Sequence, residues 1–354
     1  MDRVGFEPQQ PPPGSEPWSG WIYRMDTIQS DTDIYAGHYI GYLEFMPIPI
    51  STAELPPVIW ERVRSNFRVL DTHRPLPNDV IKSLRNQLRI LHTYHSNAIE
   101  GNSLTLKETR LVLEEGITIG GKSLRDHLEA TNNAKAFEWV WDLAKPRLRF
   151  DHALLQQLHE LVTRGILDSA GRYRTQQVWI GGVRHVPPLA AKVIPLLDVL
   201  FEELPAIQEP VLRSIYLHHR LAYVHPFLDG NGRVARLAAN LALMSARYPP
   251  IVLRVSDRLR YYRHLQAADD GELQPFAGFV LRALDESLIG FLAALEPERA
   301  LVPLRALAKR SPYSQEYLSL RARQGVLAAV KIEGSWYSSR RALSDYQEKF
   351  GKSR

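Results

Sequence analysis

Residues 225–236 read His-Pro-Phe-Leu-Asp-Gly-Asn-Gly-Arg-Val-Ala-Arg and separate two apolar segments. The segment before them, 211–224, is mostly apolar and long enough for a helix. The segment that follows places Val234, Leu237 and Leu241 at steps of three and four residues, which is the buried stripe of an amphipathic helix. The sequence therefore predicts two core helices joined by a turn, and this turn carries an unusual mixture of charged and polar side chains.

The turn has the features of a phosphate site. Pro226 opposes continuation of the first helix, and Gly230 and Gly232 are expected to adopt positive φ just before the second helix begins. Free backbone N–H groups at the positive end of a helix form a concave nest that attracts anions. Arg233 and Arg236 lie one helical step apart on the first turn, where the helix dipole disfavours a cation unless an anion is near.

Asp229 and His225 add chemistry to this nest. Asp229 offers a hard oxygen ligand to magnesium, which usually takes one or two carboxylates together with phosphate oxygens and water. His225 is a candidate general base near neutral pH. The residues alone leave a second interpretation open, a metal hydrolase that uses His225 and Asp229 with His218 or His219.

Residues 225–236 match, position for position, the His-x-Phe-x-(Asp/Glu)-Gly-Asn-Gly-Arg-x-x-Arg signature of the Fic (Fido) family, which the chain thus resembles. The resemblance implies a helical core and transfer of AMP from ATP to a Ser, Thr or Tyr hydroxyl of a protein target, the chain itself being one candidate. His225 would be the base and Asp229 the Mg²⁺ ligand. Four further residues would hold the phosphates: Gly230, Asn231, Gly232 and Arg233, with Arg236 gripping the departing pyrophosphate.

A second motif lies upstream. Leu84, Leu88 and Leu91 mark a helix that should end near Gly101, and Thr105 with Glu108 forms a capping box that opens the next helix, which should end before Gly116. Residues 96–101, Ser-Asn-Ala-Ile-Glu-Gly, are similar to the (Ser/Thr)-x-x-x-Glu-(Gly/Asn) motif of the inhibitory helix in Fic proteins. By this resemblance Glu100 pairs with Arg236 in the place of the γ-phosphate, and Ser96 helps to fix the helix.

Two other stretches are assigned mainly by resemblance. Residues 171–188 predict a short β-hairpin, which in Fic proteins is a flap that clamps an extended target peptide; we expect Val178–Gly182 to do so, with Ile180 and Gly181 beside the nucleotide. In the segment 261–276, Tyr262 is expected to stack on the base and Asp269 to approach it, although an aromatic residue at helical spacing is also typical of a core.

Composition limits the function classes. The 354 residues contain no cysteine, which excludes disulfides, thiol catalysis and Cys-zinc sites. No run of eighteen apolar residues occurs and the first residues have no signal-peptide pattern, so we expect a cytoplasmic protein without a membrane partner. Residues 1–55 form an N-terminal segment whose proline-rich part, 7–16, should be mobile.

The last segment, 301–354, is basic. It has 11 Lys and Arg against 4 Asp and Glu, or +7, whereas the whole chain is +5. Its pattern predicts a short helix at 304–309, a second helix from Ser314 towards Gly325, a hairpin at 330–337 and a last helix opened by Ser338 or Ser339. This arrangement resembles winged-helix or helix-turn-helix modules of the excisionase type. A DNA partner and a protein partner are equally open.

Together these observations predict a mainly α protein: a Fic/Fido helical core with a short β-hairpin flap and a C-terminal winged-helix-like module. The predicted units are an N-terminal segment (1–55), a helical region with the inhibitory helix (56–145), a catalytic domain (146–295) and the basic module (301–354). The predicted activity is that of an autoinhibited adenylyltransferase that uses ATP and Mg²⁺. Two rivals are a phosphodiesterase that removes AMP from a modified target and a nucleotide-sensing DNA-binding regulator, and a homo-oligomer remains open.

Overall fold

The computed structural model describes residues 51–181 and 184–350. Of the predicted N-terminal segment only residues 51–55 fall within these ranges, so the expected mobility of residues 7–16 lies outside the described residues. The described chain is mainly helical, as predicted. Its α-helices before the basic module are α1 (Pro57–Thr72), α2 (Asn78–Ile99), α3 (Leu106–Glu115), α4 (Leu124–Leu143), α5 (His152–Thr163), α6 (Val193–Glu203), α7 (Pro210–Val224), α8 (Asn231–Ser245), α9 (Arg258–Asp269) and α10 (Leu273–Leu295).

Helices α7 and α8 form the centre of the fold. They are the predicted pair that flanks the turn 225–230, and nearly all of α8 is buried, including Leu237 and Leu241. One apolar cluster packs α7 and α8 against α4, α5 and α6, and a second packs the other side of α7 against α1, α2 and α10. Because helices cover α8 on several sides, polar side chains on its first turn are held in fixed surroundings.

The local signals upstream of α4 are confirmed. Thr105 caps α3 by accepting a hydrogen bond from the Glu108 N–H at 3.2 Å, and the Glu108 carboxylate accepts one from the Thr105 N–H at 2.7 Å. Gly116 ends α3 in the left-handed region at φ 67°. Helix α2 ends at Ile99, directly before Glu100 and Gly101. Each of these ends is decided by residues within one turn, which is why the sequence predicts them.

The basic module has the predicted order of elements. Strand β1 (Val302–Pro303), α11 (Leu304–Ala308), α12 (Gln315–Arg323), strands β2 (Val330–Ile332) and β3 (Ser335–Ser338) and α13 (Arg340–Phe350) follow one another. The strands form an antiparallel sheet in the order β1-β3-β2, and an apolar cluster of the module's own residues fills the space between sheet and helices. Arg62 of α1 joins this module to the rest of the chain by donating to Asp285 at 2.5 Å and to the Gly325 carbonyl at 2.9 Å.

The predicted hairpin flap is wrong as a pair of strands. Residues 172–180 and 184–189 contain no strand, and residues 182 and 183 lie outside the described part of the chain. Side-chain hydrogen bonds connect the two halves of this segment in place of the backbone hydrogen bonds of a hairpin. Gln177 Nε2 donates to the Pro187 carbonyl at 2.8 Å, and an Arg174 guanidinium N–H donates to the Pro188 carbonyl. Pro187 and Pro188 lack the N–H groups that strand pairing requires. We call residues 172–181 and 184–189, which contain no strand, the flap loop.

No helix in the described ranges is both long enough and apolar enough to cross a membrane.

Buried histidines cross-link the helices. His92 of α2 is wholly buried and its Nδ1 lies 3.1 Å from Asn133 Oδ1 of α4. Burial, reinforced by the positive charge of Arg236, lowers the pKa of His92 to about 3. An imidazole that is neutral in the folded state but titrates near 6.5 when unfolded makes unfolding easier as the pH falls below 6.5.

We therefore expect the free energy of unfolding to fall between pH 7 and pH 5, with roughly 2 kcal/mol of the loss due to His92 alone. Urea denaturation at the two pH values measures the loss. His92→Gln, which cannot titrate, should lose less stability on acidification than the parent chain by about that amount. An identical loss in both proteins would contradict this explanation.

Candidate active site

The turn between α7 and α8 is shaped by two left-handed residues. Helix α7 ends at Val224, and His225 adopts φ 49° and ψ 59°. Gly230 adopts φ 81° directly before α8, as predicted. The prediction of positive φ at Gly232 is wrong, because Gly232 lies inside the first turn of α8. The left-handed residue that reverses the chain after α7 is His225, and no glycine signal marks it.

Gly232 is required for space rather than for conformation. A Cβ atom at this position would clash with Oε1 of Glu100, since the two atoms would lie far inside van der Waals contact. The absence of a side chain at 232 therefore allows a carboxylate to approach the first turn of α8, which is also the surface that a phosphate would need.

Asn231 has a structural role that the sequence does not predict. Its Oδ1 accepts a hydrogen bond from the Phe227 N–H and its Nδ2 donates to the Phe227 carbonyl, both at 2.9 Å. The side chain is buried and fixes the turn, and its predicted contact with phosphate oxygens stays a prediction. Its backbone N–H, with those of Gly232 and Arg233, lies at the start of α8, which no side chain caps.

His225 is arranged as a proton acceptor. Its Nδ1 lies 3.3 Å from the Ala222 carbonyl, and this contact assigns the ring proton to Nδ1 and leaves Nε2 with a free lone pair. Burial lowers the pKa of His225 to about 4, although the Ala222 contact and Glu100 oppose the shift. The imidazole is consequently neutral near pH 7, which is the form a general base requires.

Arg174 is a residue that the sequence did not reveal. Its side chain is buried, donates to the His225 carbonyl at 2.8 Å and to the Gln176 carbonyl at 3.2 Å, and its backbone N–H donates to the Pro226 carbonyl at 2.9 Å. The Arg174 guanidinium thus places a positive charge beside the carbonyl groups at the C-terminal end of α7, where the helix dipole favours a cation. The same contacts connect the flap loop to the turn.

The carboxylate of Glu100 reaches the end of α8 that the phosphates would occupy. Glu100 directly follows α2, and its Oε1 accepts a hydrogen bond from Arg236 NH2 at 2.7 Å. Ser96 accepts from the same guanidinium twice, through Oγ at 2.9 Å and through its carbonyl at 2.8 Å. Burial opposes the charge of Arg236, yet Glu100 and the neighbouring tyrosine rings keep its pKa above the ordinary value. The predicted contact of Glu100 with Arg236 is confirmed.

Arg233 and Arg236 retain capacity for an anion. Both are buried, with 1% and 3% of the side chain exposed. Within the described ranges, Arg233 Nε and NH1 and Arg236 NH1 have no hydrogen-bond acceptor, although Arg233 NH1 lies 3.3 Å from Glu129 Oε1. Buried guanidinium N–H groups without acceptors are costly and indicate a site for an anionic ligand.

The Asp229 carboxylate contacts a backbone N–H group and two arginines. Its carboxylate accepts hydrogen bonds from the Gly230 N–H at 2.6 Å and from Arg125 of α4, and Arg233 NH2 lies 3.6 Å away. Burial opposes ionisation, but Arg233, the Gly230 N–H and Arg125 outweigh it and hold the pKa of Asp229 below its ordinary value. The sequence contains Arg125 and Glu129 at helical spacing but gives no sign that they face Asp229.

A cavity beside His225 collects the other predicted residues. Glu100, Ile180, Tyr262 and Asp269 all line it. Tyr262 donates to the Ile99 carbonyl at 3.3 Å and packs against the core, and its stacking on the base stays a prediction. Gly181 is exposed and does not line this cavity, and Gly182 lies outside the described residues.

His218 and His219 belong to the core. His218 Nε2 lies 2.9 Å from the Tyr261 hydroxyl, and His219 Nε2 lies 2.9 Å from Asp269 Oδ1. Neither side chain joins His225 and Asp229, and no group of three or more His, Asp or Glu residues suited to a metal occurs within the described residues. The arrangement therefore does not match the histidine-rich hydrolase that the sequence left open.

Comparison with known proteins gives consistent matches. Residues 149–243 match the model of the Fic/DOC family, a range that lies within the predicted unit 146–295. Protein adenylyltransferase Fic of Nematostella vectensis is 35% identical over 219 residues, which is 57% of this chain and 48% of the relative. The chain thus spans about half the length of this curated relative.

Two solved structures have the same fold. A Fic-1 fragment from Caenorhabditis elegans that carries one substitution superposes with a TM-score of 0.59 at 30% identity, and the match covers 66% of this chain and 72% of the fragment. A Fic domain containing signaling protein from Bacteroides thetaiotaomicron gives a TM-score of 0.61 at 25% identity and covers 66% and 98%.

Proposed function

We propose that this chain, which belongs to the Fic/DOC family, transfers AMP from ATP to a hydroxyl side chain of a protein target. One observation carries the proposal. The turn 225–230 sets a neutral His225 beside a helix start where buried arginine N–H groups have no acceptor among the described residues. A base next to an anion site is the arrangement that phosphoryl-group transfer needs.

ATP fits this arrangement in two parts. Its phosphates would lie against the backbone N–H groups at the start of α8 and between Arg233 and Arg236, where dipole and guanidinium charges add. Its base would enter the cavity lined by Ile180, Tyr262 and Asp269. The curated relative from N. vectensis, called a protein adenylyltransferase, supports this choice of nucleotide.

The donor set at Asp229 suits magnesium. Mg²⁺ binds through one or two carboxylates, with phosphate oxygens and water completing its octahedron, and a single ionised carboxylate beside a phosphate site satisfies this requirement. When bound, the ion would neutralise charge on the α- and β-phosphates. No wider protein cage is needed.

The transfer step follows from the position of His225. Its Nε2 accepts the proton of the target hydroxyl while the hydroxyl oxygen bonds to the α-phosphorus. The bond from that phosphorus to the oxygen bridging the β-phosphate breaks, and pyrophosphate leaves with the electron pair. Arg233 and Arg236 stabilise the charge that develops on this leaving group, at a place where water is largely excluded.

The target would bind along the flap loop. The backbone near Val178 and Ile180 is free of strand pairing, and Trp179 and Val186 expose 75% and 59% of their surface. An extended peptide laid on this loop would add hydrogen bonds through its backbone and bring a hydroxyl near His225, largely independently of sequence.

Glu100 would inhibit the reaction. Its carboxylate occupies Arg236 and the space above Gly232, which the γ-phosphate requires for a productive position. With Glu100 in place, ATP would bind in a position unsuited to attack on its α-phosphorus. Ser96 would support the inhibition because it holds Arg236 towards α2.

The proposal predicts that Glu100→Gly transfers more AMP than the parent chain, by about tenfold or more, because removal of the carboxylate frees Arg236 for the γ-phosphate. Label from [α-³²P]ATP on protein in a lysate, or on the chain itself, measures this. Glu115→Gly is a matched control, since Glu115 is also an exposed glutamate that precedes a helix-ending glycine, and it should behave like the parent.

In the Glu100→Gly background, His225→Ala should abolish the label because the target hydroxyl then has no base to accept its proton. Equal label for the parent chain and Glu100→Gly would end the inhibition model. Equal label with and without His225 would end the proposed chemistry.

Removal of AMP from a modified target is the second candidate. It is favoured by the partial exposure of the Glu100 carboxylate, 31%, in the same cavity as His225, where it could orient a water molecule. Free AMP released from AMP-modified protein by the parent chain, and lost with Glu100→Gly, would establish this reaction instead.

The basic module would direct the enzyme to a partner. On α12, the Arg321 guanidinium lies 4.9 Å from the Tyr317 ring centre and Arg323 is exposed, so the helix presents cationic and aromatic groups together. Such a surface suits the phosphates and bases of DNA, and it also suits an acidic protein. A cytoplasmic location and a homo-oligomer stay predictions.

If DNA is the partner, the full chain should retard a duplex in a gel-shift assay, and the affinity should fall steeply between 50 and 200 mM salt because each phosphate contact releases counterions. Arg323→Glu should weaken the complex severalfold, whereas Arg164→Glu, an exposed arginine that follows α5, should not. Absence of retardation at the lowest salt would favour a protein partner.

A further inference from the structure

The carboxylate proposed to hold magnesium already has a cationic partner. Arg125 NH2 donates to Oδ2 of Asp229 from the first turn of α4. The other oxygen, Oδ1, accepts the Gly230 N–H at 2.6 Å and lies 3.6 Å from Arg233 NH2. Both oxygens of Asp229 are therefore engaged by the protein itself.

Arg125 is aimed at Asp229 by a buried acid. Its Nε donates to Oε1 of Glu129, one helical turn further on, at 3.1 Å. Glu129 is in turn fixed from two sides, because Asn102 Nδ2 donates to its Oε2 at 2.9 Å and Arg233 NH1 lies 3.3 Å from its Oε1. This acid holds one edge of the Arg125 guanidinium, and NH2 of the same group reaches Asp229.

The helix turn that carries Arg125 is also fixed. Ser103 donates from its N–H to Asp126 Oδ1 at 3.0 Å, and Asn102 donates to the Asp126 carbonyl at 3.1 Å. Ser103 and Asn102 directly follow the segment that bears Glu100, so α4 and this segment hold each other in register. Arg125 is consequently held beside Asp229 by contacts that do not involve the Glu100 side chain.

Arg125 and Arg233 differ in what they can do when a metal arrives. Arg233 exposes only 1% of its side chain, so it cannot turn away from Asp229 into solvent. Arg125 exposes 55% of its side chain and can do so. Mg²⁺ needs direct contact with a carboxylate oxygen, and a guanidinium on the same oxygen repels it. A half-exposed ion pair costs little to break, so the competitor is weak enough to displace.

We propose that Arg125 is a displaceable competitor of magnesium: it occupies the Asp229 carboxylate and must turn away before the metal binds. This inference rests on the proposed function, since it concerns the metal site of that reaction. Arg125 acts on the metal site through Asp229. The opposite role, in which Arg125 orients Asp229 for the metal, predicts an opposite result.

The test measures ATP binding rather than transfer. ATP affinity of the Glu100→Gly chain is determined by calorimetry over a series of Mg²⁺ concentrations, and again in EDTA, with Arg125 present or replaced by Gln. Arg125→Gln should lower the Mg²⁺ concentration for half-maximal tightening by about threefold or more, the scale of one lost surface ion pair. In EDTA both proteins should bind ATP equally.

Arg164→Gln is the matched control, an exposed arginine paired with Glu160 of α5, and it should leave the Mg²⁺ dependence unchanged. Thermal unfolding checks that each variant is folded. A Mg²⁺ requirement that is unchanged or higher in Arg125→Gln overturns the inference. If the Glu100→Gly chain itself binds no ATP at any Mg²⁺ concentration, the proposed function fails and the inference fails with it, which is a distinguishable result.

Discussion

The ion pair between Glu100 and Arg236 is the constraint on which the site depends. Arg236 is buried on the first turns of a helix that the core surrounds, and within the described part of the chain its guanidinium contacts Ser96, Glu100 and the neighbouring rings. A buried cation that loses its anion costs several kcal/mol, so an acid or a phosphate at this position is strongly favoured. Under the proposed function, Glu100 and the γ-phosphate of ATP are two alternative anions that neutralise the charge of Arg236.

The residues around this ion pair hold the start of α8 in place. Gly232 leaves room for the Glu100 carboxylate, and Asn231 fixes the turn by bonding both backbone groups of Phe227. Arg174 holds the carbonyl of His225 from the flap loop. His225, the buried arginines of α8 and the flap loop are thus tied to the same turn.

The sequence predicted those parts that are decided locally. The Thr105 and Glu108 capping box, the end of α3 at Gly116 and the element order of the basic module all depend on residues within a turn or two.

The contact of Glu100 with Arg236 is predicted only through resemblance, because the residues are 136 positions apart. Arg125 and Asp229 are 104 positions apart with no motif to join them, so their contact was not foreseen. The prediction at Gly232 is wrong because a glycine needed for space and one needed for positive φ look alike in a sequence. The predicted strands of the flap are absent because Pro187 and Pro188 cannot donate the backbone hydrogen bonds of a hairpin.

The most direct test of the account compares ATP with ADP. Calorimetry of both nucleotides with magnesium, on the parent chain and on Glu100→Gly, asks whether the carboxylate competes with the γ-phosphate in particular. The account predicts that loss of Glu100 tightens ATP binding by about tenfold while ADP binding changes by less than about twofold, because only ATP brings an anion to the place of Glu100. Equal gains for the two nucleotides, or no gain for ATP, would contradict the claim that Glu100 and the γ-phosphate share Arg236.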